Sequence, residues 1–241
     1  MDSTRKKTSR HGRRWFLRTL GLTILALAAP KAAWAFFVRG FPVRTVEDER
    51  FDFDPASGLL TWPDGRRETY RLRIDGLVQQ PLNLTHAQLT AMEQTSQISD
   101  FHCVEGWSVA DLRWGGLSGP QVLALAQPLP QARYVVLHAM GRTDRQPDGL
   151  DHYVECLPLA DLADPQRQII LALTLDGKPL PADHGAPLRL IAPLDMAYKS
   201  IKFVDRLEFS ATDRPGWWTA ANPIYPSDAP VPAQRLRRKA R

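Results

Sequence analysis

The first strong pattern along the chain begins at Tyr70, where YRLRIDG alternates apolar and polar side chains up to a glycine. A period of two is that of a half-buried strand, so this stretch predicts a strand closed by a turn. LTHAQLTAM then places Thr85 three residues before Gln88, and SGPQVLALA repeats the device with Ser118 and Gln121. A hydroxyl and an amide at that spacing can each satisfy an unpaired backbone N–H of the other, which predicts two short helices. ARYVVLHAM, HYVEC, QIILALTL, APLRLIAP and KSIKFVDRLEFS read as strands, LPLADLAD as a short helix or turn, and DGKPL as an Asp-Gly turn between strands. Strands are numerous and helices short, without the regular alternation of a doubly wound sheet, so the expected class is α+β and β-rich, with mixed sheets.

The flanks are punctuated differently. Residues 36–66 contain the turn-rich DFDPASGLLTWPDGRR and are expected to form an N-terminal extension lying on a main domain of residues 67–212. Residues 213–241 carry Pro215, Pro223, Pro226, Pro230 and Pro232, which exclude a long helix or a central strand, so this tail should wrap the surface. Its terminal basic cluster, Arg235, Arg237, Arg238, Lys239 and Arg241, reads as a solvated tail.

A composition of 44% hydrophobic and 24% charged residues is that of a globular chain able to bury a core. The net charge of +5 would suggest an anionic partner if it were spread over the fold, but residues 1–35 hold eight Lys/Arg against one acid. The remainder is slightly acidic, which argues against nucleic-acid binding. Residues 1–35 have a basic stretch, the apolar run LGLTILALAA and a closing AAWA, the layout of a secretory signal cut after Ala35. Pro30 and Lys31 stop the apolar run far short of the roughly 20 residues a membrane span needs. Within it, GRRWFLR resembles a twin-arginine export signal on Arg13 and Arg14. That address implies a periplasmic protein, soluble after cleavage, exported already folded around a cofactor.

Two cysteines in an exported chain allow one intramolecular disulfide, Cys103 to Cys156. C-x-x-C, C-x-x-C-H, H-E-x-x-H and G-x-S-x-G motifs and a phosphate-binding glycine loop are all absent. What remains is a thiol in a polar neighbourhood, DFHCVEGWS, a soft donor suited to a transition metal. Trp107 and Trp114 read as packing residues that shape the pocket around it.

FHCVEGWS, RWGGLSGPQVLAL, HGAPLRLIAP and YKSIKF, in this order and spacing, resemble the molybdopterin-binding domain of the sulfite oxidase family. The chain is especially similar to twin-arginine-exported bacterial members, catalytic subunits of periplasmic methionine sulfoxide reductases among them. The resemblance implies a Mo-molybdopterin cofactor, one molybdenum with one pterin, and makes Cys103 its thiolate ligand. It implies that Glu105 lies beside the metal and tunes the site. His184, Arg189, Ser200, Ile201 and Lys202 match positions that hold the pterin and its phosphate, and His138 lies near another. Val104-Glu105-Gly106 replaces the glycine-asparagine-arginine with which sulfite-oxidising members bind their anion, which argues against sulfite. The resemblance implies a sulfoxide or a similar small oxide as substrate. Electrons would pass between the metal and a partner, by resemblance a membrane-bound haem protein. The competing reading is a non-catalytic binding or scaffold domain, with Cys103 buried or joined to Cys156.

Overall fold

The computed structural model describes residues 51–222 and 224–237. The leader of residues 1–35, the first part of the extension, and Arg238, Lys239 and Arg241 lie outside the described residues. β1 (Asp52–Asp54), β2 (Leu59–Thr61) and β3 (Arg67–Thr69) form an antiparallel meander. Its turns fall at the predicted places, with the Ala56 N–H donating to Asp54 Oδ1 at 3.0 Å and the Gly65 N–H to the Trp62 carbonyl at 2.9 Å. The extension is thus more regular than its turn-rich sequence suggests. Leu60 is buried, and Phe51, Phe53 and Trp62 pack against the main core.

β4 (Arg71–Gly76), β5 (Leu82–Thr85), β8 (Tyr134–Ala139), β9 (Val154–Pro158) and β13 (Val204–Ser210) build one sheet in the order β5-β4-β13-β8-β9. Only the β4–β13 pairing is parallel, so the sheet is mixed as expected. A second sheet runs β11 (Lys178–Pro179), β10 (Ile170–Leu175), β7 (Ser108–Ser118), β6 (Thr95–His102), and β12 (Arg189–Ile191) also pairs with β10.

Alternation explains the core. Leu72 and Ile74 of β4 are fully buried while Arg71 and Arg73, which alternate with them, face outward. They join Val135 and Leu137 of β8, Leu207 and Phe209 of β13, and Leu171 and Leu173 of β10 in one cluster. Each such side chain contributes about 1.5–3 kcal/mol by leaving water. The Thr85 box forms as predicted at α1 (His86–Ala91): Gln88 donates its N–H to Thr85 Oγ1 at 3.2 Å and accepts from the Thr85 N–H at 2.9 Å. At α2 (Gly119–Ala126), Gln121 Oε1 accepts from the Ser118 N–H at 2.8 Å. LPLADLAD yields the short α3 (Leu159–Ala163).

β7 is among the elements that period-two reading misses. Asp111 sits at φ 59° and the β6–β7 register shifts between Ser99 and Phe101, so a bulge interrupts the alternation. After α4 (Trp217–Ala221), Trp217, Ala229 and Val231 are buried, and residue 231 donates its N–H to the Leu194 carbonyl at 2.9 Å. Among the described residues no helix is long and apolar enough to cross a membrane.

Candidate functional site

β6 and β7 pair His102 with Ser108, and residues 103–107 form the loop that joins them. The Cys103 N–H donates to the Trp107 carbonyl at 3.0 Å, and the Gly106 N–H to the Cys103 carbonyl at 3.2 Å. Gly106 adopts φ 94°, a conformation open to glycine at little cost, so this tight return needs that residue. Cys103 is a free, half-buried thiol. Burial pushes its pKa up, the Glu105 charge acts in the same direction, and Arg235 opposes both. Glu105 is exposed and accepts from Trp107 Nε1 at 3.2 Å. Trp107 is 42% exposed, so the packing role expected of it belongs to Trp114 alone, which is 1% exposed.

Arg189 is buried in β12. Its Nη1 donates to the His184 carbonyl at 2.8 Å and its Nη2 to the Ser200 carbonyl at 3.0 Å. The guanidinium carbon lies 5.2 Å from the Phe101 ring centroid and 5.4 Å from that of Trp114. Among the described residues it has no carboxylate partner, and burial alone draws its pKa down to about 9. A buried cation ordinarily has a counter-ion, so this one marks a place for an anion. Phe101 ties that place to the strand that ends in the Cys103 loop.

The His184 and Ser200 segments are brought together by the same guanidinium. Between them, Gly185 takes φ 104°, and a Cβ there would come within 2.7 Å of Lys202 Cβ. Ser200 Oγ accepts from the Ala192 N–H at 3.1 Å, and Ile201 is buried and accepts from the Leu190 N–H. Lys202 lays its ammonium 5.0 Å from the Phe203 ring centroid. A further residue of this segment escaped sequence reading. Lys199 is buried, donating to Glu155 Oε1 at 2.5 Å, to the Cys156 carbonyl at 2.7 Å and to the Ser227 carbonyl at 2.9 Å. Its signal was the lone carboxylate of YVECLPL inside an otherwise apolar strand.

Two clefts concern the expected site residues. One, of about 440 Å³, is lined by Val104, Glu105, Met196 and Tyr198 together with residues of the tail. The other, of about 680 Å³, holds His138, whose Nδ1 lies 2.9 Å from His152 Nε2 and whose Nε2 lies 3.2 Å from Glu208 Oε2. His138 therefore stands apart from Glu105, in a different cleft. Cys156 is buried beside Val136 and Val154 and is also a free thiol, so the expected alternative of a disulfide to Cys103 is not what the structure shows.

The basic tail is not merely solvated. Arg235 Nη1 donates to the Cys103 carbonyl at 2.8 Å, and its Nη2 to the Trp107 carbonyl at 2.6 Å and to Ser108 Oγ at 3.0 Å. Arg237 pairs with both Asp100 and Asp111. The reading as free charge fails because those partners lie more than 120 residues away in sequence.

Residues 60–218 match the model of the oxidoreductase molybdopterin binding domain. The chain belongs to this family. It is a molybdopterin-dependent oxidoreductase, and its cofactor is Mo-molybdopterin. Among solved structures the fold is similar to the sulfane dehydrogenase SoxCD of Paracoccus pantotrophus, with a TM-score of 0.51 and 19% identity over 69% of this chain. The match covers 51% of that chain, so this protein spans about half its length. At this identity the likeness speaks for the fold.

The residues present fit the cofactor of the family. Cys103 offers a soft thiol to a metal that dithiolene sulfurs would also ligate. Arg189, with no carboxylate partner among the described residues, offers forked donors to a phosphate.

Proposed function

We propose that this chain is an exported oxidoreductase in which the Cys103 thiolate ligates molybdenum, and that it transfers an oxygen atom or electrons to or from a small oxide such as a sulfoxide. When bound, the cofactor supplies the two-electron redox chemistry. The chain's own residues do the rest. The loop of residues 103–107 presents the thiol, which must give up its proton on coordination. Arg189 holds the cofactor phosphate, and the His184 and Ser200 segments that it ties together, with Ile201 and Lys202, enclose the same end. Exposed Glu105 stands in the cleft beside Cys103, where a carboxylate can accept a hydrogen bond from substrate or water and orient it.

The observation that carries this reading is the buried guanidinium of Arg189, without a carboxylate among the described residues, against the strand that leads into a free thiol. His138 is left out of the set because it lines the other cleft. The cleft beside Glu105 mixes Val104, Met196, Tyr198, Ile224 and Tyr225 with two acids, a lining suited to a small, largely apolar substrate and not to a free sulfite anion. Electrons are exchanged with a partner protein, by resemblance a membrane-bound haem protein, in the periplasm.

Elemental analysis of protein made in a host that synthesises the cofactor tests the reading. Near-stoichiometric molybdenum in the wild type and its loss in Cys103→Ser is the expected result. A well-folded wild type without molybdenum would refute it.

A further inference from the structure

The Cys103 loop has few internal ties. Two backbone hydrogen bonds close it, and His102 Nδ1 lies 2.8 Å from Ser108 Oγ across its neck. Val104, Glu105, Gly106 and Trp107 are all exposed, so little packing holds them. A ligand loop this lightly held would sample many positions of the thiol. The missing constraint comes from the tail. The fork of Arg235 reaches carbonyls at both ends of the loop, those of Cys103 and Trp107, and adds Ser108 Oγ. One step further, Arg237 joins Asp100 on β6 to Asp111 at the β7 bulge, below the neck.

The same tail is fastened at its other end to the segment beside Ser200. The Met196 N–H donates to the Ala229 carbonyl at 2.8 Å, and Asp195 bridges to Pro230. Tyr198 Oη donates to the Pro226 carbonyl at 2.6 Å, and Lys199 Nζ to that of Ser227. Arg167 anchors Asp195 in turn, at 2.9 Å. Residues 226–237 therefore run from the Tyr198–Lys199 turn to the Cys103 loop, touching both halves of the site. They lie beyond residue 218, where the family match ends.

We propose that residues 226–237 are a strap that sets the position of the Cys103 loop relative to the segment around Ser200, with Arg235 as the positioning residue. This rests on Cys103 being the molybdenum ligand. Arg235 touches neither substrate nor cofactor in this role; it acts through the two carbonyls that it joins. A lysine at this position carries the charge but has no planar fork to join both carbonyls and the hydroxyl, so it should not substitute.

Hydrogen–deuterium exchange of the metal-free protein tests the strap without relying on activity. Arg235→Ala is expected to speed exchange of the amides of residues 101–109 about tenfold, the effect of losing charge-assisted bonds that hold a local opening closed. Arg235→Lys should recover little of that protection, and exchange in β10 should stay as in the wild type. In cofactor-producing cells Arg235→Ala should also retain less than half of the wild-type molybdenum. Unchanged exchange in residues 101–109, or a rise shared equally by β10, would overturn the proposal. A wild type lacking molybdenum would instead overturn the ligand assignment, and the exchange comparison would still read the strap.

Discussion

Lys199 and Glu155 form a buried ion pair, Nζ to Oε1 at 2.5 Å, with side chains 4% and 1% exposed. The lysine's other donors reach the carbonyls of Cys156 and Ser227, so one ammonium joins β9, the turn before Ser200 and the tail. Removing one partner leaves a buried charge uncompensated. Lys199→Met is therefore expected to lower unfolding stability by about 3–5 kcal/mol, and Lys199→Met with Glu155→Gln by clearly less. Urea unfolding of the two variants beside the wild type checks this; equal losses would show that the pair itself is not the cause.

Arg189 makes a prediction of the opposite kind, because it is a buried cation without a carboxylate among the described residues. Inorganic phosphate should stabilise the metal-free wild type as any ligand of the native state does, and each kcal/mol gained shifts the thermal midpoint of a chain this size by about 2–4 °C. Arg189→Gln should abolish the shift. A phosphate effect of equal size in the variant would place the anion elsewhere.

The cleft around His138 predicts a pH signature. Burial, with the charges of His152 and Arg206, draws His138 down to about 4, while Glu208 opposes them. Below its ordinary value near 6.5 the unfolded chain then binds more protons than the folded one, so this group costs stability as pH falls from 6.5 to 4. Asp205, in the same cleft, is pushed up by burial to about 6 against the pull of His152, Arg73 and Arg206. Its contribution is present below about 3.8 and is lost as pH rises through 6, the reverse sign. The two offset one another between pH 4 and 6. His138→Asn should therefore gain stability relative to wild type on acidification across that range, and Asp205→Asn should lose it, in urea midpoints at pH 4.5, 5.5 and 6.5. The reverse order would contradict the assignment.

Export is tested independently of the site. Lysine at both Arg13 and Arg14 is expected to strand the protein in the cytoplasm, scored by fractionation, because a receptor-read address depends on those two side chains. Unchanged periplasmic yield would remove the twin-arginine reading.

What the sequence determined by itself is local. Side-chain period and turn residues placed β4, β8, β10 and β13, and the spacing of Thr85 and Gln88 placed α1, because strand alternation and capping act between neighbours in the chain. Motif order identified the family and pointed to Cys103 and Arg189. Tertiary structure decided which groups meet. Arg235 lies 132 residues from the carbonyl that it holds, and Lys199 44 residues from Glu155, distances over which no periodicity carries information. The sheet order β5-β4-β13-β8-β9 turned His138 toward Arg206 and Glu208, in a cleft apart from the one that Glu105 lines. Burial without a counter-ion among the described residues, the property that makes Arg189 informative, exists only once β12 has packed against Phe101 and Trp114 and water has been excluded around the charge.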